Sequence, residues 1–357
     1  MKLTFIDYLV ENTGPRIPHP EDSIFDGSAE TAKYVQALQD VIDNPGGVSI
    51  KWDGGIALVF GRNEQGQFFC ADKYMPAKGV FPASPAQWIE YDRARGADRS
   101  TGAVNLYRAI ELIWSGLEAA VTETATFKGD LMHVGRLRAD RGVYKFKPVT
   151  VEYHIPVDSA IGKLVTNKVG IVVVHQKNGA PWDGTGLVNA GNVAILDPTA
   201  NIKFQLKNPV QLVKAAEQAV SKYGKISDDF LAGMDGVAQK AIKQYFNHKI
   251  TKQTNEELAS WLQHHVSGKQ FKLLVGDDQD GYLYTNHEGY VSLTAIWNSV
   301  YALKVNLAEQ LERQVTGFGQ WVAGKQAGEG FVVNTAHGLV KLVNRDIFGG
   351  AHFAKMQ

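Results

Sequence analysis

The sequence predicts a mixed α+β fold, and three observations carry that expectation. From Val48 to Lys207, apolar and β-branched runs alternate with Gly, Pro, Asn and Asp turns, the pattern of short strands. At Pro209 the texture changes to apolar residues at helical spacing. From Gly328 to Val343 it returns to strand, turn and strand.

The chain has 357 residues, enough for one large domain or two modest ones. Its 44% hydrophobic and 21% charged residues are ordinary for a soluble globular protein. Net charge is zero and the pI about 7.2, so a nucleic-acid partner requires a locally basic face. The single cysteine, Cys70, excludes an intrachain disulfide and a cysteine-rich zinc site. Asp7 interrupts the apolar run a signal peptide needs, and no run reaches membrane-span length. The expected setting is a reducing cytoplasm, that of the host if the protein is viral.

Leu3–Leu9 is a short amphipathic piece, followed by a proline-rich turn at Gly14–Pro20. Ser28–Ile42 is a helix, with Ser and Glu30 at its start and Asn44-Pro45-Gly46-Gly47 beyond its end. Val48–Gly61 is expected to be a hairpin, with Lys51 at the mouth and Asp53-Gly54 as the turn. A lysine beside a tight glycine turn can present its amine to a phosphate while the backbone approaches closely. A strand at Gln67–Asp72 delivers Lys73, and Thr101–Val121 is a long amphipathic helix. In Ala125–His133 a strand delivers Asp130 directly after Gly129. Strands follow through Val174, with Phe146 and Tyr153 as rings and His175 closing an apolar run; Val193–Ile195 and Ile202–Leu206 are short strands.

Helices are expected at Pro209–Gly224, Ile226–Ile250, Asn255–Val266 and Val291–Lys325, with an extended piece at Phe271–Tyr290. Between Ile202 and Lys272 eleven lysines face six acids, leaving +5 on this segment. Lysines follow a phosphate backbone as point charges, which makes Lys214, Lys222, Lys240 and Lys243 candidates for nucleic-acid contact. The chain then closes with Glu329 before a strand and Lys341 on the returning one.

Lys51-Trp52-Asp53-Gly54 resembles the K-x-D-G signature of the covalent nucleotidyltransferases, which include ATP-dependent DNA and RNA ligases and capping enzymes. Phe127-Lys128-Gly129-Asp130-Leu131 resembles the superfamily's third motif, with Asp130 where many members carry Glu. Glu329-Gly330-Phe331-Val332 resembles the fourth and the Lys341 strand the fifth. Two features depart from the pattern. Leu339 or Val343 stands where the fifth motif usually has a second lysine, and the third and fourth motifs are unusually far apart.

The resemblance implies an adenylation domain of antiparallel sheets around an ATP cleft, in two parts, 1–207 and 327–357. A helical insertion at 208–326 would serve as a nucleic-acid clamp. The sixteen residues after Lys341 are expected to leave no room for a C-terminal oligonucleotide-binding barrel, which points to compact bacteriophage-type ligases rather than capping enzymes. Lys51 is the implied nucleophile. Ile50, Asp53, Gly54, Lys73, Asp130, Tyr153, Glu329 and Lys341 are the implied nucleotide-binding residues. Asp130 and Glu329 would hold Mg²⁺ or Mn²⁺, directly or through water. The expected function is ATP-dependent sealing of DNA or RNA strands, at a nick or at strand ends, by a monomer with no membrane partner. The alternatives are a nucleotidyltransferase acting on a protein or small molecule, and a non-catalytic nucleic-acid-binding relative.

Overall fold

The computed structural model describes residues 17, 19–101, 105–198, 203–248, 255–322 and 324–345; Leu3–Leu9, Lys249 and Lys252 lie outside them. The chain is a mixed α and β structure that divides into two compact units. The first contains Ile50–Ile202 and Val315–Glu329; the second contains Ile17–Ser49, Lys203–Gln314 and the chain from Gly330.

The strands in chain order are β1 (Val48–Ile50), β2 (Ile56–Arg62), β3 (Phe68–Asp72), β4 (Thr126–Val134), β5 (Ala139–Asp140), β6 (Val143–Phe146), β7 (Glu152–Pro156), β8 (Gly170–Lys177), β9 (Ala180–Pro181), β10 (Val193–Leu196), β11 (Gly319–Val322), β12 (Lys325–Gln326), β13 (Phe331–Thr335) and β14 (Gly338–Leu342). The first unit holds two sheets. One runs β10-β8-β4-β2-β3, antiparallel except for the parallel β10–β8 pair. The helix Leu106–Ala120 lays Ile110, Ile113, Trp114 and Leu117 on its Phe60, Phe127, Val172 and Val174 face. Cys70 is buried in the same cluster, and burial pushes its thiol pKa up, so it behaves as a small apolar residue. The second sheet runs β12-β11-β7-β6-β5 and is antiparallel throughout.

The second unit is mainly helical, and a small sheet β1-β13-β14 completes the set. Its longest helices are Val210–Ala232 and His287–Glu312. The helix Ser28–Asp43 starts where expected, but its start is capped from far away: Asp228 accepts from the Ser28 backbone N–H at 2.8 Å and from its hydroxyl at 2.6 Å.

Several expected elements differ. Val48–Gly61 is not a hairpin: β1 pairs in the β13 sheet, whereas β2 pairs with β3 and β4, and Lys51–Gly55 is the crossover between sheets. Residues 203–206 form no strand. The helix expected to stop at Gly224 continues to Ala232, because that glycine is a packing contact; a Cβ there would lie 2.7 Å from Ser28 Cβ. Phe271–Tyr290 is largely helical, in Gly268–Leu274, Tyr282–Thr285 and the start of His287–Glu312. The last helix ends at Glu312 rather than Lys325: Gly317 takes a φ of +85°, and β11 and β12 follow.

A buried ionic network ties the segments of the second unit. Lys304 Nζ reaches Glu21 Oε1 at 2.5 Å, Arg345 Nη2 reaches Asp22 Oδ2 at 2.5 Å, and Arg345 Nη1 lies 3.3 Å from Glu21 Oε1. Two acids balance two bases. Burial lowers the Lys304 pKa to about 8 against the opposing pull of Glu21. Replacing Lys304 alone leaves a buried carboxylate short of one partner, so Lys304→Met should cost about 3 kcal/mol in urea unfolding. Folded Lys304 releases its proton at about 8 and the unfolded lysine at 10.5, so the unfolded state binds more protons in that window. Its contribution to stability therefore rises with pH there, and the margin of wild type over the variant should widen from pH 8 to 10.5.

Candidate functional site

Lys51–Gly55, the crossover that leaves β1 and enters β2, is fixed residue by residue. Ile50 is 1% exposed and donates its N–H to the Pro198 carbonyl at 2.9 Å, so its side chain is core. Trp52 is buried between two rings, Tyr153 at 4.8 Å and Phe318 at 4.7 Å, with interplanar angles of 16° and 20°. Tyr153 stacks in turn on Phe146 at 5.3 Å. Such contacts are each worth about 0.5–1.5 kcal/mol beyond the area they bury. Tyr153, which the resemblance makes a nucleotide-binding residue, therefore has no free ring face: both sides are covered and it is fully buried.

Its hydroxyl has another task, accepting the Asp53 N–H at 2.6 Å. Burial, with Asp53 and Glu329 nearby, holds the Tyr153 pKa well above the usual phenol value, so the group stays protonated. Asp53 Oδ2 accepts from the backbone N–H groups of Thr150, at 2.5 Å, and Val151, at 3.0 Å. A carboxylate that takes two backbone donors ties its loop to another segment with charge-assisted bonds. Here it binds the crossover to the start of β7.

Gly54 is required by space rather than by turn geometry. A Cβ at this position would lie 2.2 Å from Asp130 Cβ, and the next residue, Gly55, donates its N–H to the Leu131 carbonyl at 3.0 Å. The crossover thus lies across β4 where Asp130 projects. Asp130 Oδ2 meets His175 Nε2 at 3.0 Å. In the β4–β8 register Lys128 pairs with Gln176 and Gly129 with Val174, so His175 is the extra residue of a β-bulge. A bulge bends its strand locally and re-aims one side chain, and here it turns His175 toward Asp130.

Lys51 Nζ forms an ion pair with Glu329 Oε1, the lysine side chain 25% exposed and the carboxylate 9%. The pairing of β1 with β13 brings the residue after one strand to the residues before the other. The structure thus gathers Lys51, Asp53, Gly54, Asp130, Tyr153 and Glu329 within the first unit. Lys73 is exposed beyond β3, its ammonium 5.0 Å from the Tyr74 ring. Lys341 lies on β14 opposite Val332, in the second unit. Of the helical lysines, Lys214, Lys222 and Lys240 are exposed, whereas half-buried Lys243 sits 3.8 Å from Asp26. The sequence assigns no role to Phe318 or His175; helix-like spacing hides Phe318, although Gly317 and Gly319 flank it.

The oxygen donors available to a cation are Asp130 and Glu329. Among the described residues no group of three or more His, Cys, Asp or Glu gathers as a metal cage. Mg²⁺ characteristically takes one or two carboxylates and completes its shell with phosphate and water, a mode that requires no cage of three protein ligands.

The close approach of Gly54 to Asp130 yields a direct test. Gly54→Ala must move either the crossover or a central strand, and should cost about 1–3 kcal/mol by urea denaturation. Gly46→Ala, where a Cβ would meet nothing within 4 Å, should fall within about 0.5 kcal/mol of wild type.

No match to the chain exists among curated proteins or among solved structures. A family of unknown function, DUF6267, matches residues 16–357. That match spans both units and every site residue described above. The chain belongs to the DUF6267 family.

Proposed function

We propose that the protein is an ATP-dependent polynucleotide ligase acting through a lysyl-AMP intermediate. One observation carries the reading: Lys51 of the K-x-D-G stretch is paired with Glu329, and Gly54 of the same stretch lies on Asp130. Three stretches that resemble motifs of one superfamily, far apart in the chain, therefore meet at the Lys51–Gly55 crossover.

In this mechanism the unprotonated Lys51 amine attacks the α-phosphorus of ATP, forming a P–N bond as pyrophosphate leaves. The AMP is transferred from Lys51 to a terminal 5′-phosphate, and a 3′-hydroxyl then displaces AMP to form the phosphodiester. Glu329 holds the Lys51 side chain in position before nucleotide binds. The Trp52 stack and the Asp53 bonds to Thr150 and Val151 keep the loop from shifting, which preserves the attack geometry. Asp130 and Glu329 are the carboxylates that would hold Mg²⁺ or Mn²⁺, and the ion would neutralise phosphate charge as it develops. Asp130 is oriented by His175. For Lys341 the resemblance implies a contact to phosphate.

Incubation with α-labelled ATP and Mg²⁺ should leave an acid-labile, alkali-stable, hydroxylamine-sensitive label on the protein. Lys51→Ala should abolish it, and Glu329→Gln should slow it by about 10²-fold. Label surviving on Lys51→Ala would overturn the reading. A panel of nicked and single-stranded DNA, RNA and hybrid substrates then identifies what is joined. Label without any joining would instead favour transfer to a protein or small molecule, and no label at all a binding relative.

A further inference from the structure

We infer that the β5–β6 hairpin, with the outward face of its sheet, is a binding surface for a single polynucleotide strand. In the twelve residues from Arg136 to Lys147, Arg136, Arg138, Arg141, Lys145 and Lys147 face one acid, Asp140; five cations against one acid leave +4. The whole chain is neutral, so this is a strong local excess. All five are exposed, and none has an ion-pair or hydrogen-bond partner among the described residues. Three other cations of the first unit, by contrast, are paired: Arg95 and Arg99 lie on Asp92, and Lys177 on Glu123.

The hairpin tip carries an arginine where the backbone disfavours one. Asp140 pairs with Val143, so Arg141-Gly142 is a two-residue turn, with φ of 49° and 80°. This turn favours Asn or Gly at its first position, and arginine there bears the strain of left-handed backbone. The cost places a guanidinium at the point of the hairpin, where it can take a phosphate bidentately.

Rings share the face. Tyr144, Phe146, Tyr153, Ile155, Gln320 and Val322 point inward and are buried, so the alternate residues point out. Lys145 stands opposite His154, and His154 stacks on Trp321 at 5.2 Å with an interplanar angle of 28°. The local acid Glu152 is engaged by His154 Nε2. Cations beside a half-exposed ring stack suit a strand whose phosphates meet the cations while its bases stack. An anionic membrane or an acidic peptide would use the charges but not the rings. The cationic row ends at Lys147, in the loop whose Thr150 and Val151 bind Asp53, so it leads to the Lys51 crossover. As the surface that holds the ligase's substrate it rests on the proposed function, but strand binding can be measured without any ligation.

The test is fluorescence anisotropy of the full chain with labelled single-stranded RNA and DNA of about 20 nucleotides, between about 50 and 200 mM salt. The variant Arg138→Glu/Arg141→Glu/Lys145→Glu should bind at least about tenfold more weakly. Its plot of log affinity against log salt should flatten by about 0.7 for each phosphate that is no longer neutralised. Trp321→Leu should weaken binding roughly tenfold with the salt slope unchanged. The milder Arg138→Gln/Lys145→Gln should move in the same direction if charge reversal perturbs folding. The assignment fails if wild type binds neither oligonucleotide, or if the hairpin variants bind like wild type. It also fails if Lys214→Glu/Lys222→Glu/Lys240→Glu loses affinity in their place, or if anionic vesicles bind as well as the oligonucleotides. Labelling by ATP separates the two readings. A wild-type chain that binds strands through the hairpin but never labels retains the surface and loses the ligase; one that labels but fails the binding test does the reverse.

Discussion

The site depends on the indole of Trp52. It is held between Tyr153 and Phe318, from two different strands' neighbourhoods, and through it the crossover between two sheets becomes as fixed as a strand. A five-residue connection without regular hydrogen bonding would ordinarily fluctuate. Here a ring stack on one side, two backbone donors to Asp53 and a glycine seated on Asp130 remove that freedom. The flexible side chain of Lys51 is thus mounted on a rigid base, with Glu329 as its counterion. The nucleophilic role proposed for Lys51 would need this combination, because the amine must travel a short way while its backbone does not move.

Much of this is legible in the sequence, and what is not has definite physical causes. The strands around Asp130 and the closing hairpin of Glu329 and Lys341 carry alternation and turn residues strong enough to read directly, and β4, β13 and β14 lie there. A hairpin at Val48–Gly61 fails because alternation identifies strands without identifying partners, and Asp53-Gly54 looks the same as a hairpin turn or a sheet-to-sheet crossover. The residue type of Tyr153 suggests a ligand platform; only the structure shows both ring faces covered. His175 closes an apolar run in the sequence, and nothing there marks the bulge that turns it toward Asp130. Gly224 reads as a stop because a glycine's packing role is invisible without its neighbour Ser28.

Charge density along the sequence is also modified by ion pairing in the fold. The helical segment is rich in lysines, and several are neutralised or compensated in place: Lys225 by Asp229, Lys272 by Asp277, Lys243 near Asp26. The shorter arginine-bearing stretch at 136–147 has fewer cations but no compensating partners among the described residues. Unpaired charge on a sheet face, rather than the count along the sequence, sets the local potential that a polyanion meets.

The buried network of the second unit also has a consequence for how the protein is made. Glu21 and Asp22 lie near the start of the chain, and their partners Lys304 and Arg345 are 283 and 323 residues away; Ser28 waits 200 residues for Asp228. A ribosome therefore releases the whole first unit before the second has all its pieces. The early helical segment must stay tethered and incomplete until residues 283 and 323 positions later have been made, with its acids still in water. Closure of the second unit is then a long-range and intrinsically slow step. Translation pausing or early termination shortly before Arg345 would leave the lysine loop built and its companion unit unassembled.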